Sequence, residues 1–280
     1  MKKYRRYERY LYKGLMIATL TILGVIILYP IYITFMVSFD RSIRFAIPTP
    51  PPIFPKQFSN LFYRVVFTNL PFIRYYFNTL FITCGVFVFK LVLCYMCAYA
   101  ISKGNFKLKK LSFILVLMTM MVPFQALLLP SYILFHQLKL VDTWMSIILM
   151  SSLSPLTVFL MKQFLDELPN ELRDSARIDG ANELSICYRI YFPLCGPIIA
   201  TVGILTIVGE WNNYIWAALM LRTYENFTIP LALANFSFDK GVIIGPRAAG
   251  AMAGAIPLLV IFLILQKYVV ASIATSGIKQ

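Results

Sequence analysis

The sequence predicts an all-α membrane protein with six transmembrane helices and a helical loop on the cytoplasmic side. Hydrophobic residues make up 59% of the chain, and its mean hydropathy is +0.73. Charged residues make up 14%, whereas globular domains average about 25%. The net charge of +14 is spread between apolar segments rather than gathered in one patch. Membrane topology uses basic residues in this way, so we expect no nucleic-acid partner.

Six apolar runs follow one another along what we predict to be a single transmembrane domain, residues 1–280. They cover about residues 15–39, 77–102, 111–135, 144–161, 197–221 and 249–271. A helix needs about 20 apolar residues to cross the hydrocarbon core of a bilayer, and the fourth run barely reaches that length. The first run resembles a signal peptide, but it is too long and has no Ala-x-Ala cleavage site, so we expect a retained span.

The charges between the runs predict the orientation. The first two predicted inner segments, residues 1–14 and 103–110, hold ten basic residues against one acid. The positive-inside rule therefore places them, and both termini, in the cytoplasm. The predicted outer loop at residues 40–75 opposes this, with five basic residues against Asp40. Its proline cluster leaves backbone groups that lipid cannot satisfy, so it should stay outside the bilayer. A second outer loop is expected at residues 222–248.

The longest polar segment on the predicted inner side covers residues 162–196, and the predicted loop within it covers residues 165–195. Residues 170–178 mix charge with apolar positions at helical spacing, which predicts a short helix. Gly180 follows as a break, because glycine adopts the left-handed conformation that ends many helices. A second helix is predicted over about residues 181–191, and Pro193 should stop it.

The residues alone leave two interpretations of this loop open. Four of them near the turn are small: Ser175, Ala176, Gly180 and Ala181. Another backbone can therefore come close, which suits a surface that docks on a cytoplasmic partner. The same pattern also fits a solvated loop between two spans.

The spacing of this loop resembles that of the coupling loop of ABC-importer permeases. The family pattern is a Glu-Ala-Ala triplet, three residues, a glycine, nine residues, and then Ile-x-Leu-Pro. Here the triplet is Asp174-Ser175-Ala176, the glycine is Gly180, and Ile190 to Pro193 closes the pattern. Two triplet residues differ conservatively and phenylalanine replaces the leucine, but the spacing matches throughout. The resemblance implies a set of ATPase-coupling residues: Glu171, Asp174, Ser175, Ala176, Asp179, Gly180, Ala181, Ile190 and Pro193.

Further motifs indicate which group of ABC-importer permeases the sequence resembles. ARIDGANE, YRIYFPL and GEWNNYIW are similar to the maltose-type permeases of carbohydrate uptake, as are residues 121–144 and FNTLFIT in the second run. The resemblance covers residues 77–221 well and the outer loop 40–75 poorly. It implies the type I fold of ABC-importer permeases and a sugar, expected to be an oligosaccharide, as the solute.

The resemblance also implies partners. These are a second permease subunit, two ATP-binding subunits and an extracytoplasmic solute-binding protein, with membrane lipid around the spans, in the cytoplasmic membrane of a bacterium. The loop would pass the closure of the ATPases to the spans as a shift between two states. The chain has no Gly-Lys dipeptide, which a phosphate-binding loop requires. We therefore expect ATP, Mg and hydrolysis on the partner, and no catalytic residue, cofactor or metal on this chain.

Two ionisable residues, Lys90 and Glu210, fall inside the second and fifth predicted spans. Ionisable groups at that depth are costly and by default mark a cavity or pathway. We hypothesise that Glu210 faces a water-filled cavity or pairs with Lys90. The alternative for Lys90 is that it snorkels or pairs within the bundle.

Aromatic and amide side chains crowd the same part of the fifth span. A sugar site needs a few convergent polar groups among apolar ones. The predicted substrate path therefore comprises Glu210, Trp211, Asn212, Tyr214 and Trp216. The alternative is an aromatic belt at the membrane interface, where Trp and Tyr are enriched.

Two other functions fit parts of the sequence. An ABC permease for a non-sugar solute, such as an amino acid or phosphate, would share the loop but not the sugar-type motifs. A secondary transporter or membrane enzyme that acts alone would leave the loop unexplained, and secondary transporters often show internal repeats that are not evident here. Cys94-x-x-Cys97 resembles a redox or metal pair, but two packing residues on one helix face explain it better.

Overall fold

Helices dominate the structure. The computed structural model describes residues 2–236 and 244–277, and within these ranges the side chains of residues 12–236 and 244–264. No strand occurs in these ranges. Residues 237–243 of the second predicted outer loop lie outside the described residues, as do most side chains of the first basic segment.

The helices are named here in chain order. They are α1 (Lys2–Ser38), α2 (Leu61–Asn69), α3 (Phe72–Lys103), α4 (Lys109–Met120), α5 (Phe124–Gln137), α6 (Trp144–Ser152), α7 (Pro155–Glu167), α8 (Glu171–Ile178), α9 (Glu183–Ser185), α10 (Phe192–Leu194), α11 (Gly196–Trp211), α12 (Ile215–Met220), α13 (Ile229–Asn235) and α14 (Ile244–Gly277). A π-helical segment, Ile186–Tyr191, joins α9 to α10, and Tyr224–Asn226 forms a 3-10 turn.

The described residues fall into two compact units. One comprises residues 2–71, 235–236 and 244–255, and the other comprises residues 72–234 and 256–277. The second unit contains α3 to α12 and both sites described below. The single transmembrane domain over residues 1–280 stays a prediction.

By length and composition, the described residues contain up to six candidate membrane spans if each bent pair counts as one span, which agrees with the predicted fold class. Three are single helices that are long and apolar enough: Tyr12–Ser38, Phe72–Lys103 and Ile244–Ile264. Three are pairs of helices bent at a short break, namely α4 with α5 (100°), α6 with α7 (43°), and Glu183–Leu194 with α11 (79°). The all-α class with up to six candidate spans is thus confirmed, but three of the predicted runs are not continuous helices.

Proline explains where the three bent pairs break. Pro123 is the N-cap of α5, Pro155 is at the first position of α7, and Pro197 is in the first turn of α11. Proline lacks a backbone N–H and disfavours helical geometry in the residue before it, so it ends one helix and suits the start of the next. The first two breaks fall inside predicted runs, because hydropathy averages over such positions. The third precedes the predicted fifth run, which is interrupted instead between α11 and α12.

Helix α3 is the centre of the second unit, and α6, α7 and α11 pack against it. Gly85 lets α6 approach, because a Cβ atom there would lie 2.8 Å from the Ile148 side chain. Further along α3, Cys94 and Tyr95 are completely buried in an apolar cluster, and Cys97 packs against it. The Cys94 thiol lies 3.3 Å from the Ser152 carbonyl, to which it donates.

The predicted outer loop at residues 40–75 is an ordered structure in the first unit. Asp40 is completely buried. Its carboxylate accepts hydrogen bonds from the Ser42 hydroxyl (2.6 Å), the Ser42 N–H (3.0 Å) and the Lys56 N–H (2.8 Å). Helix α2 lies in the same stretch and was not predicted. Two buried apolar side chains hold it, and packing of this kind outweighs the weak local signal of nine residues.

The two ends of α3 meet different connections. Near its start, the Asn78 amide donates to the carbonyls of Glu225 (2.8 Å) and Phe227 (2.9 Å). At its end, the Lys103 ammonium donates to the Leu168 carbonyl (2.6 Å) and to Oδ1 of Asn170 (2.9 Å). The start of α3 therefore contacts a segment that was predicted to be outer, and its end contacts a segment that was predicted to be inner. At about 1.5 Å per residue, these contacts lie roughly 38 Å apart along the helix.

Asp142 joins the link before α6 to the segment that follows α12. Its carboxylate accepts hydrogen bonds from the backbone N–H groups of Arg222 (2.9 Å) and Thr223 (3.0 Å) and from the Thr223 hydroxyl. The Asn226 amide donates to the Asp142 carbonyl at 3.0 Å. Burial alone would raise the pKa of Asp142, but these hydrogen bonds outweigh it and lower the pKa from 3.8 to about 2.

The pKa of Asp142 predicts an acid-dependent loss of stability. Since its pKa is lower in the folded chain than in the unfolded one, its contribution is complete above about pH 4 and declines as the pH falls towards about 2. We expect the wild type to lose more thermal stability between about pH 6 and about pH 3 than Asp142→Asn, which cannot titrate there. Unfolding midpoints in detergent measure this, and equal losses in both proteins would contradict the role of the carboxylate.

Candidate functional site

A helical hairpin forms the first candidate site, as the sequence predicted. Helix α8 ends in a left-handed turn at Gly180, whose φ is +81°. The Ala181 N–H donates to the Ala176 carbonyl (2.9 Å), and the Gly180 N–H donates to the Arg177 carbonyl (3.0 Å). These two bonds define a Schellman motif, which satisfies carbonyls at the helix end that would otherwise lack partners.

The second arm of the hairpin begins later and ends later than predicted. The Asn182 side chain caps it by accepting from the Ser185 N–H (2.8 Å). Helical residues begin at Glu183 and continue through Pro193 to Leu194, so Pro193 does not stop the helix at Tyr191. The π-helical segment gives the physical reason. Its wider turn shifts the hydrogen-bond register, which makes room for a proline ring without an N–H.

An ionic cluster holds the two arms of the hairpin together. Glu183 accepts from Arg173 through Nη2 at 3.1 Å and Nε at 3.3 Å, and from Arg177 through Nε at 2.7 Å. The Tyr99 hydroxyl of α3 donates to the same carboxylate at 3.2 Å. The bidentate contact fixes the direction as well as the distance between the arms. The sequence alone does not predict this cluster, because contacts across the turn depend on where the two arms lie.

The base of the hairpin is fastened to α3 by buried groups. The Tyr95 hydroxyl donates to the Cys187 carbonyl in the π-helical segment (2.8 Å). The Tyr191 hydroxyl donates to the Pro169 carbonyl (2.8 Å), and the Lys103 ammonium lies 5.3 Å from the centre of the Tyr191 ring. Tyr95 and Tyr191 are both completely buried. The hairpin and α3 are therefore joined by several directional contacts.

The predicted coupling residues lie mostly on the outward side of the hairpin. Six are exposed: Glu171, Asp174, Ser175, Asp179, Gly180 and Pro193. Ala181 and Ile190 are partly buried, and Ala176 is buried against α3 and its neighbours. Two exposed apolar side chains, Ile178 (87%) and Leu184 (61%), lie among them. The hairpin thus presents a mixed apolar and acidic surface.

A cavity of about 600 Å³ forms the second candidate site. Residues from the breaks between α4 and α5, between α6 and α7, and between α11 and α12 contribute to its wall. The lining residues are Lys90, Thr119, Met120, Val122, Phe124, Leu127, Met150, Ser151, Leu153, Ser154, Pro155, Leu156, Gly209, Glu210, Asn213 and Trp216. Non-helical backbone at membrane depth is tolerated where it lines a water-filled cavity. The breaks are therefore compatible with the predicted spans.

Lys90 and Glu210 lie in the wall of this one cavity. The Lys90 ammonium donates to the Thr206 hydroxyl at 3.4 Å. Glu210 Oε2 accepts from the Ser151 hydroxyl (3.1 Å) and from the Asn213 amide (2.9 Å). The two charged groups share the cavity without forming a direct ion pair between them. Glu210 at a cavity fits this geometry. Lys90 and Glu210 attract each other through space, but no direct contact joins them, so their pairing stays a hypothesis.

The five predicted substrate-path residues divide into two groups. Glu210 and Trp216 line the cavity, and the Trp216 indole N–H donates to the Ser146 carbonyl at 3.2 Å, which holds its ring. Trp211 is buried, while Asn212 and Tyr214 are exposed, and these three are not in the lining. Because α11 ends at Trp211, Asn212 and Tyr214 leave its helical register.

Among the described residues, no group of three or more His, Cys, Asp or Glu side chains is arranged to hold a metal ion. Ser151 and Thr206 are cavity or near-cavity contacts that the sequence analysis missed. Hydroxyl residues are common in membrane helices, so only their positions beside Glu210 and Lys90 distinguish them.

Comparison with known proteins identifies the family. The family model described as binding-protein-dependent transport system inner membrane component matches residues 90–275. The chain is 35% identical over 202 residues to the arabinooligosaccharides transport system permease protein AraQ of Halalkalibacterium halodurans, with 72% of each chain covered. It is 32% identical over 283 residues to the galactooligosaccharides transport system permease protein GanQ of Bacillus subtilis, with 99% of this chain and 98% of that protein covered.

A solved structure has the same fold. It is a bacterial ABC transporter involved in the import of the acidic polysaccharide alginate, with a TM-score of 0.80 and 24% identity, and the match covers 92% of this chain and 96% of that chain. The chain belongs to the family of binding-protein-dependent transport system inner membrane components. The resemblance to ABC-importer permeases of the carbohydrate-uptake type is thereby confirmed.

The turn of the hairpin yields a stability prediction. A Cβ atom at Gly180 would meet nothing within 4 Å, so Gly180→Ala costs only the left-handed backbone, about 1–2 kcal/mol. We expect a lower unfolding midpoint and faster hydrogen exchange at the Ala181 N–H. Gly196→Ala is the matched control, because that site is equally open and has no left-handed backbone. Equal effects of the two substitutions would contradict the assignment of the Schellman turn.

Proposed function

We propose that this chain is the membrane-spanning subunit of an ATP-driven sugar importer, with oligosaccharides as its solutes. The observation that carries the proposal is the attachment of the braced hairpin to α3, the helix whose middle residue Lys90 lines the cavity. A partner that moves the hairpin would move α3, and so the wall of the cavity. The names of the relatives, which refer to arabinooligosaccharides and galactooligosaccharides, support the solute class.

The proposed role implies partners that bind and hydrolyse ATP, complete the path and deliver the solute. An ATP-binding subunit, which carries ATP and Mg, docks on the outward side of the hairpin, and two copies serve the importer. A second permease subunit completes the translocation path, and a solute-binding protein delivers the sugar from outside. The membrane is the bacterial cytoplasmic membrane, and both termini lie inside because the first inner segments carry the excess of basic residues. Hydrolysis takes place on the partner.

The ionic cluster gives the hairpin the stiffness that coupling needs. Arg173 and Arg177 fix the two arms through Glu183, and Tyr99 ties this cluster to α3. Tyr95 adds a second buried attachment at the π-helical segment. A hairpin held at these points moves as a rigid body. A force on its outward side therefore displaces α3 instead of bending the hairpin.

Purification from the native membrane tests the proposal. We expect a tagged chain, extracted in mild detergent, to bring with it a second six-span protein and an ATPase with a phosphate-binding loop. In liposomes with the binding protein, the complex should accumulate oligosaccharide only with Mg-ATP. A chain that is purified alone and still moves solute without ATP would overturn the proposal in favour of a secondary transporter.

The outward side of the hairpin gives a sharper test. Ile178 is 87% exposed, so Ile178→Asp should leave folding unchanged but place a charge in the proposed ATPase interface. An apolar interface residue of this kind contributes about 2 kcal/mol, so we expect more than about tenfold less co-purified ATPase. ATP-dependent uptake should fall in parallel.

The matched control is Ile53→Asp, because Ile53 is 68% exposed and lies in the predicted outer loop. This variant should retain the ATPase in full. Retention of the ATPase by Ile178→Asp, or equal losses in both variants, would show that the hairpin tip is not the docking surface.

A further inference from the structure

The cavity carries two opposite charges that are not neutralised by direct contact. Lys90 is 9% exposed and Glu210 is 8% exposed, and both line the wall. Burying a charge is expensive unless it is paired or well hydrogen-bonded. Their hydrogen-bond partners are neutral groups, a hydroxyl for Lys90 and a hydroxyl and an amide for Glu210, and the two charges also attract each other through space.

Both groups keep hydrogen-bonding capacity towards the cavity. An ammonium has three donors, and the described contact of Lys90 uses one of them at a long 3.4 Å. A carboxylate has two oxygens, and the described contacts of Glu210 both go to Oε2. The Ser151 and Asn213 contacts hold the carboxylate in place, which leaves Oε1 as the available acceptor.

We infer that Lys90 and Glu210 together select an uncharged, hydroxyl-rich solute in this cavity. The inference rests on the proposed function and assigns a role in specificity to Lys90. A sugar hydroxyl donates to Glu210, while a hydroxyl or ring oxygen accepts from Lys90. The solute thus bridges the two charges and replaces water at both, while the buried Trp216, held by its bond to Ser146, packs behind this part of the wall.

The charge balance explains the selection against acidic sugars. The two formal charges cancel, so the wall has no net positive charge to offset the loss of hydration by a carboxylate. A uronate gains an attraction to Lys90 but meets repulsion from Glu210 in the same cavity. Electrostatic interactions are stronger in a site of low dielectric constant than in water, so this repulsion is not screened away. A neutral hydroxyl has no ionic hydration to lose and is not repelled by Glu210.

Equilibrium binding to the purified importer complex, without ATP or binding protein, tests this inference. The probes are a tritium-labelled galactose trisaccharide and the galacturonate trisaccharide of the same linkage, measured by scintillation proximity. Wild type should bind the neutral probe at least about tenfold more tightly, as expected for one charge-assisted hydrogen bond. Glu210→Gln should weaken the neutral probe about tenfold and strengthen the acidic one, because Lys90 is then uncompensated.

The double variant Lys90→Gln with Glu210→Gln separates charge balance from packing. It restores a neutral wall with polar side chains at both positions, so its loss of affinity for the neutral probe should be smaller than the sum of the losses in the two single variants. Glu225→Gln, a charge removal outside the cavity lining, should change nothing. Equal binding of the two probes by wild type, or losses in the double variant that simply add, would overturn the inference. ATP-dependent uptake of neutral sugar by the wild type tests the proposed function independently, and it would persist if only this inference failed.

Discussion

The need to satisfy every backbone polar group inside a membrane shapes the second unit. Helices meet this need along most of each candidate span, but proline interrupts the ladder at the start of α5, α7 and α11. Two of these three breaks, together with the one after α11, border the cavity of about 600 Å³. The cavity is therefore where the freed backbone groups can reach water, and it is also where Lys90 and Glu210 lie. One constraint accounts for both the bends and the position of the charged residues.

Helix α3 connects the two candidate sites. Its middle contributes Lys90 to the cavity, while its last turns contribute Tyr95, Tyr99 and Lys103 to the base of the hairpin. The contacts at the hairpin are short, directional and partly buried, so they oppose independent motion of the two elements. The bend of 79° between Glu183–Leu194 and α11 places a second connection between the hairpin and the cavity wall. Both routes run through packed helices rather than through a flexible loop.

The geometry also explains why the spacing of the coupling-loop pattern matters more than the identity of each residue. Gly180 occupies a left-handed position, and Ala176 is buried and accepts the hydrogen bond that closes the turn. These two positions fix the hairpin. Asp174 and Ser175, the triplet positions where this chain departs from the family pattern, are exposed. Substitution there changes the outward surface but leaves the turn intact.

The sequence by itself determined the all-α class, the apolar runs, the two-armed hairpin with its turn at Gly180, and the family. These features are local or periodic, and a residue's type and spacing are enough to produce them. Only the tertiary structure decided that Lys90 and Glu210 share a cavity without direct contact, that Trp211, Asn212 and Tyr214 lie outside its lining, and that Glu183 joins the arms. Each of these depends on where helices break and how they pack. A proline or a short non-helical link rotates every later side chain, and the average hydropathy of a run does not record that rotation.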